Sequence, residues 1–307
     1  MNNLNDKNRP SQETILNLFN SFNKGNFKNT EELGLSIISK FPNFEFAWKL
    51  LGVLYLQNNF ISKALKFNIK LIDLSPNDPE ANFNLALSLQ KNKQLKESVL
   101  RYRKAISLKP DYYDANNNLG IVLKELGNIE ESNEFYRNAI SINPNKVEAY
   151  NNLGNSFREN NEYKEAIIYL KKAILINPNY APAFNNLGLA LKETGDYEEA
   201  DKVLRKAILL NPNYFEAKLN WCDLMNGIIF FEPKPEINKL ICNLLDSKNI
   251  VRARKLAKTS ISLIKIDPIF LDISKKILKY KININNIVDG ICKLSLLLKF
   301  MVQSTIP

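Results

Sequence analysis

Apolar and small residues recur along this chain in short helical blocks that alternate with polar turns. In residues 149–160, Ala149, Tyr150, Leu153, Gly154 and Phe157 fall on one helical face. Asn160-Asn161-Glu162 reads as a turn, and the pattern predicts a second helix from Tyr163 to Ile176, with Ala166, Leu170 and Ala173 facing inward. Asn177-Pro178-Asn179 stops it, because proline cannot continue a helix and biases its predecessor away from helical angles. The same two-helix pattern then returns at a fixed step. Pro42, Pro76, Pro110, Pro144, Pro178 and Pro212 stand 34 residues apart. Leu51, Leu85, Leu119, Leu153, Leu187 and Trp221 keep that step, as do Gly52, Ala86, Gly120, Gly154, Gly188 and Cys222. Two further rows are Ala64, Ser98, Ser132, Ala166 and Ala200, and Ala105, Ala139, Ala173 and Ala207. Rows of small residues are expected where paired helices approach closely.

Trp48-x2-Leu51-Gly52-x2-Tyr55, followed by Ala64 and Pro76, resembles the tetratricopeptide repeat. One departure is Asn68, with Phe67 beside it, where the family has an aromatic four residues after Ala64. Units over 45–214 are regular, a weaker one over 11–44 precedes them, and a seventh first helix over 215–225 follows. The resemblance implies an all-α fold, a right-handed superhelix of helix pairs (an α-solenoid) whose first helices line the concave side. It divides the chain into a disordered N-terminus (1–10), a solenoid (11–225) and a helical C-terminal region (226–307).

Asn84, Asn118, Asn152, Asn186 and Asn220 also stand 34 apart, each just before a core leucine or tryptophan. The core face is centred about 140° away, so these amides are expected to point outward, as a ladder along the groove. Lys124, Arg158 and Lys192 form a basic row, with Glu125, Glu159 and Glu193 beside it. An amide both donates and accepts, so a ladder of amides can grip an extended backbone with little regard for side chains, while the charged rows bias sequence. The competing expectations are structural: amides bridging adjacent first helices, and charges compensating one another on a solvated face. The ladder is similar to the repeat arm of protein O-linked N-acetylglucosamine transferases, which implies contact with acceptor peptides. About 90 residues follow the repeats and hold no Gly-rich nucleotide loop, so the resemblance extends to peptide holding and not to catalysis. An alternative is a recognition arm for a glycosyl- or sulfo-transferase domain lost or carried by another chain. The family's carboxylate clamp would use Asn155 and Asn186, but Asn151 stands where its lysine belongs.

After Met225 the step is lost. Asn226-Gly227 and Glu232-Pro233-Lys234-Pro235 mark turns, and helices are expected over 236–245, 250–264, 268–280 and 286–301. Residues 249–262 look like a degenerate second helix, with Ala253, Ala257 and Ile261 on one face. A terminal cap is the simplest role, since an ordinary last repeat would leave its apolar face open. Of the chain's +10 charge, +7 lies from Phe215 onward, where 15 lysines and arginines face 8 acidic residues. Arg252, Arg254, Lys255 and Lys258 offer contact with an anionic membrane as an alternative. No aromatic interleaving supports nucleic-acid binding.

The chain contains no histidine, which removes Ser-His-Asp and Cys-His triads and the HExxH zinc site. Cys222, Cys242 and Cys292 are isolated and read as free thiols. The apolar run 287–302 is interrupted by Asp289, Lys293 and Lys299, and residues 1–12 lack a secretory pattern. The expectation is a cytoplasmic scaffold that binds protein or peptide, with no cofactor, no metal and no catalysis of its own.

Overall fold

A computed structural model describes residues 9–225 of the 307-residue chain. Among them are thirteen α-helices: α1 (Gln12–Asn23), α2 (Phe27–Lys40), α3 (Glu45–Gln57), α4 (Ile61–Leu74), α5 (Pro79–Lys91), α6 (Leu95–Leu108), α7 (Tyr113–Glu125), α8 (Ile129–Ile142), α9 (Val147–Glu159), α10 (Tyr163–Ile176), α11 (Ala181–Glu193), α12 (Tyr197–Leu210) and α13 (Phe215–Met225). The chain forms two compact units that divide after Ser156, inside α9. In the first, α1 to α8 pack in sequence order, each on the next; in the second, α10 to α13 do the same. The expected cap, the tail helices and the N-terminal residues 1–8 lie outside the described residues.

Two local devices repeat. Each second helix from α4 onward ends two residues before the periodic proline. Its C-cap directly precedes that proline and takes the extended angles a following pyrrolidine ring imposes, as at Asn143 (φ −141°, ψ 92°). The Asn143, Asn177 and Asn211 side chains then accept from the backbone N–H two residues on, closing an Asx turn over the proline. Between the helices of each pair the chain passes once through the left-handed region. That position, 34 residues apart each time, is Gly25, Asn59, Lys93, Gly127, Asn161 and Gly195. At each of these six turns the next backbone N–H reaches back five residues to close the first helix, as from Asn128 to Leu123 O at 2.9 Å and from Asp196 to Leu191 O at 2.9 Å.

The rows of small residues sit where helices meet, within a pair at Ser98 and Ser132 and towards the next pair at Ala105 and Ala139. Ala105, Ala139, Ala173 and Ala207 are fully buried, as are Ala64, Ser98, Ser132, Ala166 and Ala200. Where that second row holds serine, the hydroxyl donates to a carbonyl on the facing first helix: Ser98 to Ala86 O at 2.9 Å and Ser132 to Gly120 O at 2.7 Å. This satisfies a polar group that would otherwise be costly at full burial. A Cβ on Gly120 would stand 2.7 Å from the Tyr136 ring, and one on Gly188 2.5 Å from Leu204. Both positions therefore need the bare backbone.

Asn68 occupies the position that Tyr102 and Tyr136 fill in later units. It is fully buried, and its Nδ2 donates to Ser88 Oγ at 2.8 Å. A Cβ on Gly52 would collide with its Oδ1. The aromatic volume moves one residue back, to Phe67, whose ring lies 5.3 Å from Trp48 and 5.0 Å from Tyr55.

Candidate peptide-binding face

The first helices carry the amide row. In the first unit, Asn84, Asn118 and Asn152 sit on α5, α7 and α9; in the second, Asn186 and Asn220 sit on α11 and α13. The expectation that they point outward needs correction. Asn84 is buried, and the other four are half-buried. The reason is lateral packing. Asn152 and Asn220 lie on the flank of their helix that meets a neighbouring first helix, and each is half-buried there.

Two hydrogen bonds define that neighbour contact. In the first unit, Asn152 Nδ2 donates to Asn117 Oδ1 at 3.0 Å, joining α9 to α7. In the second unit, Asn220 Nδ2 donates to Asn185 Oδ1 at 2.8 Å, joining α13 to α11. The partners belong to a second amide row, Asn117, Asn151 and Asn185, which is buried. Sequence reasoning missed this row, although its 34-residue step was visible directly beside the first. The bridging role and the outward role are compatible, because an asparagine amide has two donors and two acceptor lone pairs, and the bridge uses one donor.

Asn118 is held differently. It lies within hydrogen-bonding reach of the Tyr102 hydroxyl, which donates to Gln90 Oε1 at 2.8 Å. Burial pushes the Tyr102 phenol well above its ordinary pKa, and the amide acts weakly the other way. The backbone carbonyl of Asn84 accepts from Ser88 Oγ at 2.9 Å.

One helical turn beyond the amides, half-buried aliphatic side chains keep the same step. They are Leu87 and Ile121 in the first unit and Leu189 in the second. Lys124, Arg158 and Lys192 are half-buried near the helix C-termini. In the acid row beside them, Glu125 accepts from Lys93 Nζ at 3.1 Å and Glu159 lies 3.4 Å from Arg158 Nη2. The Arg158–Glu159 contact is the compensation foreseen between the two rows, whereas Glu125 pairs with Lys93 in the turn of the preceding repeat. At the opposite helix ends, Lys49 pairs with Asp78 and Glu80, and Lys146 with Asp114 at 3.2 Å.

Among the described residues, no cluster of His, Cys, Asp and Glu could hold a metal ion, and no helix is long and apolar enough to cross a membrane.

Models of the tetratricopeptide repeat match residues 147–180 and 181–214, and a further TPR repeat model matches 90–127 and 122–158. Residues 90–214 are tetratricopeptide repeats. Solved structures share the fold over more than half of the chain. PilW, titled a widely conserved type IV pilus biogenesis factor, aligns with a TM-score of 0.62 at 17% identity, covering 68% of this chain and 99% of its own. The anaphase-promoting-complex hetero-tetramer Cut9-Hcn1 aligns at 0.60 and 20% identity, over 78% of this chain and 47% of that one. A MamA protein aligns at 0.50 and 24% identity, over 55% and 92%. No curated protein matches the chain. The described residues form an all-α helical solenoid of the tetratricopeptide fold, as the repeat rows predict. Of the two resemblances drawn from sequence, the repeat is the one these matches carry.

Proposed function

We propose that this protein is an interaction scaffold that holds an extended polypeptide along the exposed face of its first helices. The observation that supports the reading most is the composite surface on each unit. Asn84 and Asn118 in the first unit stand one turn from the half-buried Leu87 and Ile121, and Asn186 in the second stands one turn from Leu189, while Asn152 and Asn220 are followed at that step by Asn155 and Asp223. An amide both donates and accepts, which suits a peptide backbone, and the aliphatics offer shallow contacts for alternate side chains. Lys124, Arg158 and Lys192 lie at one edge, and Glu80, Asp114 and Glu148 at the other. Glu80 and Asp114 are paired with Lys49 and Lys146, and Arg158 lies beside Glu159, so these charges tune which segments are accepted rather than supply the affinity. The role assigned is binding, without a cofactor and without catalysis by this chain.

The test is selection of a random peptide library displayed on phage against the full chain, followed by titration of the recovered peptides. The triple variant Asn118→Ala, Asn152→Ala, Asn186→Ala is expected to bind them at least about tenfold more weakly. Its helicity should be retained. Unchanged affinity in the triple variant would assign the amides to helix bridging alone.

A further inference from the structure

The second helices of the second unit end in an exposed leucine that the corresponding helices of the first unit lack, although α6 carries a related basic face around the exposed Leu100. On α10, Lys164, Ile168, Lys171, Lys172 and Leu175 follow i, i+4, i+7, i+8 and i+11 spacing and share one side of the helix. The inward side is made by Ala166, Leu170 and Ala173. Ile168 is 53% exposed and Leu175 81%. On α12, Lys206 and Leu209 stand at the repeat positions of Lys172 and Leu175, and Leu209 is 72% exposed. Both helices pack on α11. Leu175 and Leu209 thus project from the last turns of two helices that flank the same neighbour.

The repeat does not call for leucine there. The same position is Ser107 on α6 and Ser141 on α8. Nor are the surrounding charges balanced. Lys202 is compensated by Glu198 and Glu199, and Arg205 by Asp201 through a 2.8 Å contact. Lys164, Lys171, Lys172 and Lys206 are exposed and take no carboxylate partner among the described residues, Lys172 resting instead over the Tyr169 ring at 5.3 Å.

We infer that this face docks on an anionic bilayer surface. The exposed aliphatics are single side chains standing between lysines, not the floor of a groove. That arrangement fits insertion of Leu175, Leu209 and Ile168 among acyl-chain ends, with the ammonium groups at the level of lipid phosphates. A second copy of the same face would bring lysine against lysine, which disfavours self-association. Residues 226–307 carry a basic excess of their own and are equally ill-matched to it. The inference is independent of the peptide-binding face, which lies on the first helices.

The experiment is sedimentation of the full chain with vesicles of phosphatidylcholine alone, and with vesicles containing about 30% phosphatidylserine, at low and physiological salt. The wild type is expected to sediment with the anionic vesicles, less so as salt rises, and poorly with phosphatidylcholine alone. Leu175→Glu with Leu209→Glu should weaken that binding by on the order of tenfold or more. Lys171→Ala, Lys172→Ala and Lys206→Ala together should do the same. Both variants should melt within a few degrees of the wild type, since the altered side chains are exposed. Four results would overturn the inference: no vesicle binding, equal binding by the variants, a large fall in melting temperature for the leucine variant (the chain itself covers the face), or capture of an acidic protein with no affinity for lipid.

Discussion

Replacing Gly120 with alanine, with and without Tyr136, measures how tightly a helix pair is closed. An added Cβ would lie 2.7, 2.8 and 3.1 Å from three atoms of the Tyr136 ring. Carbon atoms in ordinary contact stand about 3.5–4.0 Å apart, so the ring or α8 must retreat by roughly 1 Å. Tyr136 is 1% exposed and cannot swing into solvent. Overpacking of this kind costs about 1–3 kcal/mol. Alanine regains about 1 kcal/mol over glycine in a helix interior, leaving a net loss of about 1 kcal/mol. In a Tyr136→Ala background the obstacle is gone, and the same substitution should stabilise by about 1 kcal/mol. The double-mutant cycle should therefore return a coupling of about 2 kcal/mol, read from urea unfolding followed by far-ultraviolet circular dichroism. A coupling under about 0.5 kcal/mol would refute the claim that the glycine row exists to let the helices meet.

Three further outcomes follow from other parts of the structure. Lys93 holds the left-handed turn position at φ 64°, so Lys93→Gly should stabilise by up to about 1 kcal/mol in thermal or urea melts, despite losing its exposed pairing with Glu125. Asp201 accepts from Trp221 Nε1 at 2.8 Å and from Arg205 Nε and Nη2; Asp201→Ala strands the indole N–H of a fully buried tryptophan and should cost about 2–3 kcal/mol in the same assay. Glu31 accepts from the Tyr55 hydroxyl at 2.8 Å and from Lys63 at 3.0 Å, and these bonds hold its carboxyl below the ordinary glutamate range. Its contribution to stability is therefore complete above the unfolded value near about 4.3, and is lost as pH falls through the lower folded value. Carboxyl NMR titration should find that midpoint low in the wild type and raised in Tyr55→Phe.

The helix pairs were legible because their determinants are local and periodic. Proline ends each second helix by covalent geometry, and alanine or glycine marks each close approach, so α10 could be drawn residue for residue from its pattern. What stayed hidden depends on side chains meeting across helices. The Asn152–Asn117 bridge joins positions 35 residues apart, and an outward angle calculated for one isolated helix takes no account of the neighbour that half-buries the amide. Lys93 gave no hint of positive φ, since the repeat position is usually glycine or asparagine. Nothing in the 34-residue pattern marks Leu175 and Leu209 as exposed, and only packing shows that Leu170 and Ala173, and Leu204 and Ala207, already fill the inward side of their helices. Asn68 read as a defect in the aromatic row, whereas its amide reaches Ser88 and the ring beside it takes over the volume.

The central claim is that the first-helix face holds a polypeptide. Hydrogen exchange of the full chain, free and saturated with a library-selected peptide, tests it most directly, because exchange reports opening helix by helix. The account predicts added protection in the first helices that carry the amides, α5, α7, α9, α11 and α13, with α6, α8, α10 and α12 unchanged. Protection confined to the second helices, or none with a peptide that demonstrably binds, would contradict it.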